Sequence, residues 1–259
     1  MLPPLHTVRV RDANLSYVDV GTCERVLLVV HGYCGGIRDF APQLDALAQL
    51  GRTVVFDQRG HGRSSHTGRA RDYTLERLTD DLEAFVDALA LGPLDLMGHS
   101  MGGMIAQRFA LRRPGSVRSL LLMNTSPRAV ALEQPSGLRG ELSSWLRMLG
   151  LGRHIDALKR RLGREVGGIP EHVDPVAFEA LRREICRAPD LSAKLSAVSC
   201  PTLALTGEHD ALLAEGMRDL STAIVGARFE VLAGAAHSPQ LETPEAWLAC
   251  VRSHLQAVR

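Results

Sequence analysis

The chain has 259 residues, 45% of them hydrophobic, with Lys+Arg 30 against Asp+Glu 29 and a net charge of +1. That length and balance fit one globular domain with room for an insertion. They argue against a nucleic-acid binder, because no basic run is interleaved with aromatics and aromatics are only 4% of residues.

The start, Met1-Leu2-Pro3-Pro4-Leu5-His6, has no long apolar segment behind a basic one, and no span reaches the length of a membrane-crossing helix. The expectation is a cytoplasmic chain with no membrane partner. Five cysteines (Cys23, Cys34, Cys186, Cys200, Cys250) are odd in number, scattered and without C-x-x-C spacing, which suits reduced thiols.

Residues Thr7 to Arg11 and Leu15 to Val20 alternate apolar and polar around Asp12-Ala13-Asn14, the pattern of an antiparallel hairpin. Continuous apolar runs follow at Val26–Val30, Thr53–Phe56, Leu94–Met97, Val117–Met123 and Thr202–Thr206; these predict strands buried on both faces, as in a parallel sheet. The first run leads into the glycine-rich His31-Gly32-Tyr33-Cys34-Gly35-Gly36. This loop is the expected source of one oxyanion donor, the peptide N–H of Tyr33, with Cys34 as the alternative. The second run leads into Asp57-Gln58-Arg59-Gly60-His61-Gly62-Arg63-Ser64, which lacks the phosphate-cradling spacing of nucleotide-binding loops and reads as a structural loop at the edge of the site. Between it and the third run, apolar residues at three- and four-residue spacing predict a helix over Thr74 to Leu91.

The third run is followed by Gly98-His99-Ser100-Met101-Gly102 and a helical stretch from Gly103 to about Arg113. A serine flanked by glycines at i−2 and i+2, between strand and helix, is the pattern of a nucleophile elbow. The turn exposes the Ser100 hydroxyl at a helix N-terminus, where the N–H of Met101 points at a developing oxyanion. After the fourth run comes Asn124-Thr125-Ser126-Pro127, with no carboxylate.

The strand–helix rhythm then breaks. Residues 127–198 are helical by pattern, with one apolar stripe at Leu142, Trp145, Leu146 and Leu149 and another at Val176, Leu181 and Ile185, and Gly163 to Pro170 reads as a flexible joint. The expectation is an α/β core domain made of 1–126 and 199–259, with 127–198 inserted as a cap over the strand C-termini. From Arg128 to Lys194 the cap carries 12 basic residues against 9 acidic, which reads as solvated helix faces.

Past the cap, Thr202–Thr206 runs into Gly207-Glu208-His209-Asp210, and 27 residues after Asp210, beyond the predicted strand Phe229–Leu232 and the small-residue loop 233–236, stands His237. A nucleophilic serine needs a base and the base needs an orienting carboxylate, neither of them near it in sequence. The order Ser100, Asp210, His237 supplies both. Asp210 is favoured as the acid because it lies farther into its loop; Glu208 competes, and Asp219 is a distant third on the predicted helix Leu213 to Ile224. His31, His61, His99 and His209 are read as structural, bonded to backbone, and no histidine pair has metal-ligand spacing, so neither a metal nor a cofactor is implied.

Together HGYCGG at 31–36, DQRGHGRS at 57–64, GHSMGG at 98–103, TGEHD at 206–210 and GAAHSPQLETPE at 234–245 resemble the α/β-hydrolase fold superfamily. The resemblance implies a mostly parallel doubly wound sheet, a nucleophile at Ser100, an acid at Asp210, a base at His237 and oxyanion donors at Tyr33 and Met101. The stretch 100–127 looks most like small bacterial carboxylesterases and the 3-oxoadipate enol-lactonase group. The expected activity is cofactor-free hydrolysis of a small ester or lactone. The same triad also serves C–C bond hydrolases, thioesterases and perhydrolases, and a ligand receptor on this fold is the reading from another class. Haloalkane dehalogenases and epoxide hydrolases of this fold, which form an ester on an aspartate, are excluded by a serine at position 100.

Overall fold

The computed structural model describes residues 2–132 and 172–258. Its sheet has eight strands in the order β1-β2-β4-β3-β5-β6-β7-β8. The strands are β1 (His6–Val10), β2 (Ala13–Val20), β3 (Val26–Val30), β4 (Arg52–Phe56), β5 (Leu94–His99), β6 (Val117–Met123), β7 (Thr202–Gly207) and β8 (Arg228–Leu232). β1 pairs antiparallel with β2, and β2 antiparallel with β4; every pair from β4 to β8 is parallel.

Continuous apolar runs form these strands because both faces are covered. Side chains alternate across a strand, so Leu28 and Val30 enter one apolar cluster with Leu96, Leu120, Leu122 and Ala204. Leu27 and Val29 enter the other with Met97, Leu121, Leu203 and Leu205. The first cluster is closed by α2 (Leu75–Ala88), α3 (Met101–Arg112), α4 (Pro175–Cys186) and α6 (Ala214–Ala223). The second is closed by α1 (Leu44–Ala48) and the C-terminal α8 (Pro244–Ala257), which contributes Trp247, Val251 and Leu255. The short helices α5 (Ser192–Leu195) and α7 (Pro239–Glu242) complete the set among the described residues.

Helix ends follow local chemistry. The Thr74 hydroxyl oxygen accepts the N–H of Arg77 and starts α2. The helix stops at Ala88, three residues before its predicted end, as Ala90 takes a positive φ of 50°. Helix α3 begins at Met101, two residues earlier than predicted, because Ser100 alone makes the turn out of β5. For α4, Asp174 accepts the N–H of Val176 and Pro175 takes the first helical position, where its missing N–H costs nothing.

Most of the predicted cap, residues 133–171, with the Leu142 stripe and the Gly163–Pro170 joint, lies outside the described residues. Of the second stripe, Leu181 and Ile185 are buried together with Ala177, and all three join the first core cluster. Val176 is only partly buried. No disulfide links the five cysteines. Among the described residues no helix is long and apolar enough to cross a membrane.

The loop 57–64 is fastened to this core by a buried ion pair. Arg59 donates to both carboxylate oxygens of Asp81 on α2, at 2.7 and 2.8 Å. Both side chains are essentially inaccessible. The Asp57 carboxylate accepts the N–H of Ile37 and that of Arg63, tying this loop to the one after β3.

Burial pushes the imidazoles of His31, His61 and His99 down to about 4, 3 and 3. In the unfolded chain each would titrate near 6.5. The unfolded state therefore binds protons first as pH falls, and stability held in full above about pH 6.5 is lost toward pH 4, about 2 kcal/mol per histidine by pH 5. Thermal unfolding followed from pH 7.5 to 5 is expected to show Tm falling by at least about 5 °C. An unchanged Tm would mean that these rings take up protons as readily folded as unfolded.

Candidate active site

The chain order of the sheet creates the site. After β3 the chain moves to one side to make β4, then returns to the other side of β3 to make β5. At such a switch point the loops leaving two neighbouring strands diverge and leave a crevice at the strand C-termini. Here the loop 31–36 leaves β3 and Ser100 leaves β5, with Val30 paired to Gly98.

Ser100 has φ 55° and ψ −120°, a strained conformation for a residue bearing a side chain. Packing on both flanks enforces it. A Cβ on Gly98 would lie 2.5 Å from the Gly102 carbonyl oxygen and 2.7 Å from the Gly103 Cα, and one on Gly102 would lie 2.2 Å from the Val30 carbonyl oxygen. The two glycines thus let β5 and α3 pack closely against each other and against the end of β3. The strand ladder continues through the turn, with Ser100 N–H donating to the Met123 carbonyl. Thr125 Oγ1 donates to the Ser100 carbonyl at 2.6 Å.

The fold brings the three sequence-distant candidates together. Ser100 Oγ is 3.1 Å from His237 Nε2, and His237 Nδ1 donates to Asp210 Oδ2 at 2.8 Å. With Nδ1 as donor, Nε2 of the neutral ring is the acceptor facing the serine hydroxyl. Asp210 is buried, 5% exposed, whereas the His237 side chain is 44% exposed. Burial by itself raises the Asp210 carboxyl, but hydrogen bonds from His237 and Asn124 outweigh it and hold the group below the usual carboxylate range.

The competing acids point elsewhere. Glu208 accepts the N–H of Gly234, and Asp219 pairs with Arg128. Tyr33 stands in the loop that leaves β3 and Met101 opens α3, so their N–H groups lie on the two segments that leave the switch point. A Cβ on Gly32 would lie 3.0 Å from Ser100 Cβ, so the loop 31–36 packs directly against the serine. The Tyr33 hydroxyl donates to the Phe178 carbonyl on α4 at 2.8 Å, and its titration is pushed up by burial. Cys34, the alternative donor, has φ 61°, and its carbonyl accepts from His172 Nε2.

Three of the four histidines read as structural are bonded to backbone. His31 Nδ1 donates to the Gly32 carbonyl while Nε2 accepts the Gln58 N–H, so a neutral ring splints the loop 31–36. His61 Nδ1 donates to the Arg59 carbonyl at 3.2 Å. His99 Nε2 donates to the carbonyl of His237 at 2.7 Å. The fourth differs: the His209 ring is 63% exposed and lies 3.8 Å from Glu208, because its loop turns that position outward.

Two contacts escaped the sequence reading. The Asn124 amide reaches Asp210, and the Glu242 carboxylate accepts the N–H groups of Ala236 and Ser238 on either side of His237. Asn124 carries no carboxylate to mark it; its sequence signal is its place at the end of a strand run.

The family model for the alpha/beta hydrolase fold matches residues 25–148. The serine hydrolase BPHL of Mus musculus is 30% identical, covering 96% of this chain and 85% of its own. Epoxide hydrolase 3 of Xenopus tropicalis is 28% identical, covering 96% and 77%. Among solved structures, the enol-lactonase of Burkholderia xenovorans superposes with a TM-score of 0.78 at 25% identity, covering 97% of this chain and 100% of the other.

The tight elbow generates a stability prediction. Gly98→Ala is expected to destabilise the fold by about 2–3 kcal/mol or more, because its Cβ would meet the α3 backbone at 2.5 and 2.7 Å. Gly115, whose Cβ would meet nothing within 4 Å, serves as the control: Gly115→Ala should change urea unfolding by less than about 1 kcal/mol. Equal effects would refute the packing argument.

Proposed function

The chain belongs to the alpha/beta hydrolase fold family, and we propose that within it this protein is a cofactor-free serine hydrolase of small carboxylic esters or lactones. The observation that carries the reading is the continuous hydrogen-bonded line from Ser100 Oγ through His237 to the buried Asp210.

In this mechanism Ser100 Oγ attacks the substrate carbonyl carbon while His237 Nε2 takes the hydroxyl proton. The ionised Asp210 holds the ring by its Nδ1–H and offsets the charge that the ring gains. The carbonyl oxygen becomes an oxyanion facing the N–H groups of Tyr33 and Met101, each such donor supplying about 3 kcal/mol. His237 then returns its proton to the leaving alkoxide as the C–O bond breaks. Water, deprotonated by the same ring, attacks the acyl-enzyme and frees Ser100 and the acid. A strained turn presenting Oγ at the N-terminus of α3 favours this chemistry, since the helix dipole and the oxyanion donor face the same point.

The match to an epoxide hydrolase does not extend to that activity. Opening an epoxide through an ester on the enzyme needs a carboxylate at the elbow, and position 100 is serine. The likeness to the enol-lactonase favours a small acyl substrate. Residues 127–198 are read as the lid over this site.

A fluorophosphonate probe followed by intact-mass spectrometry is expected to add one adduct per chain to the wild type and none to Ser100→Ala. A panel of short acyl esters and enol-lactones should be turned over by the wild type only. Asp210→Asn should lower kcat by about 10³-fold or more while the protein stays folded. Ester turnover undiminished in Ser100→Ala would sink the mechanism.

A further inference from the structure

We propose that Asn124 is a positioning residue whose single amide group locks the acid and the base into one geometry; the inference rests on the triad reading above.

Asn124 follows β6, is fully buried and has φ 45°, a left-handed conformation that asparagine tolerates better than most residues. Its backbone N–H donates to the Leu205 carbonyl in β7, which fixes the residue against the strand that leads to Asp210. From there Nδ2 donates to Asp210 Oδ2 at 2.6 Å and to the Ala236 carbonyl at 3.0 Å. The first acceptor is the same oxygen that receives His237 Nδ1–H. The second belongs to the peptide immediately before His237.

These two acceptors lie on loops that follow different strands, β7 and β8, and the amide is the group that touches both. Its orientation is set by its partners, since the flipped rotamer would aim Oδ1 at two oxygen atoms. Oδ1 has no hydrogen-bond partner among the described residues. The position therefore uses the donor half of the amide. A filler of this space would need no polar atom, and burying one without a bond is costly. Donation to Oδ2 also favours the ionised carboxylate and leaves its remaining lone pair for the imidazole. The neighbouring bonds complete the arrangement: His99 Nε2 holds the His237 carbonyl, and Glu242 holds the N–H groups of Ala236 and Ser238.

The titratable groups facing His237 are Asp210, the His99 ring 5.0 Å away and, through the flanking backbone, Glu242. Glu208 and His209, on the acid loop, are more than half exposed.

The test compares Asn124→Gly, which removes the amide while suiting the positive φ, with Asn124→Asp, which keeps shape and backbone preference but replaces the donor by a second carboxyl group beside Asp210. Both are expected to lower kcat about 10- to 100-fold with KM within about twofold, because displacement of a proton-transfer partner costs rate rather than binding. With less donation to Asp210, its charge holds the protonated imidazole more tightly, so the acid limb of kcat/KM should move up by about half a pH unit or more. Wild-type kcat and pH profile in Asn124→Asp would overturn the proposal and reduce the residue to a space filler. The downfield proton NMR signal of the His237 Nδ1–H needs no turnover and so separates this proposal from the hydrolase reading. Its loss or broadening in folded Asn124→Gly, whether or not Ser100 takes an adduct, supports the lock; an unchanged signal overturns it.

Discussion

Everything at the strand C-termini depends on one close contact, the approach of the β5–α3 turn to the end of β3. With a Cβ on Gly102 only 2.2 Å from the Val30 carbonyl oxygen, no residue but glycine lets the two backbones meet. That contact sets the strained Ser100 turn, and the turn aims the hydroxyl into the crevice between loop 31–36 and the loops after β7 and β8. A parallel sheet makes the arrangement rigid. Its central strands are buried on both faces, so the ends of β3, β5, β6 and β7 cannot shift independently without opening the core.

Around this frame the chain uses imidazoles in two different ways. His31, His61 and His99 are buried, and burial holds them neutral. A neutral ring has one donor and one acceptor, which lets His31 bond Gly32 and Gln58 at once and so splint the glycine-rich loop. Protonation would replace that acceptor with a donor facing a donor. His237 is the contrast: its ring is nearly half exposed and bonded to side chains at both nitrogens, while its backbone is what the neighbours hold.

The charge pattern follows the same division. The buried pair of Arg59 and Asp81 lies away from the crevice and fastens loop 57–64 to α2. One guanidinium engages both oxygens of the Asp81 carboxylate and also reaches Asp12, while burial still pushes the Asp81 carboxyl up. Asp210, by contrast, is buried beside the His237 ring and the Asn124 amide. Its charge is available to a proton arriving on His237, since no Arg or Lys pairs with it among the described residues.

The fold class, the strands and the elbow are legible in the amino-acid order, since each is written in local pattern: runs such as Val26–Val30, the helix of Leu75 to Ala88, and glycines spaced around Ser100. The sequence also favours Asp210 as the acid over Glu208 on the same loop and Asp219 on the following helix. Which of the loop carboxylates meets His237 is visible only in three dimensions. Glu208 and Asp210 are two positions apart on an irregular loop, where no period says which way a side chain points, and packing of Gly207 against the Ala235 and Ala236 carbonyls turns Asp210 inward and leaves Glu208 to bond Gly234. The role of His99 as a backbone-bonded ring is legible, but its partner and those of Asn124 and Glu242 are set by the register between strands and loops distant in sequence, which periodicity does not encode.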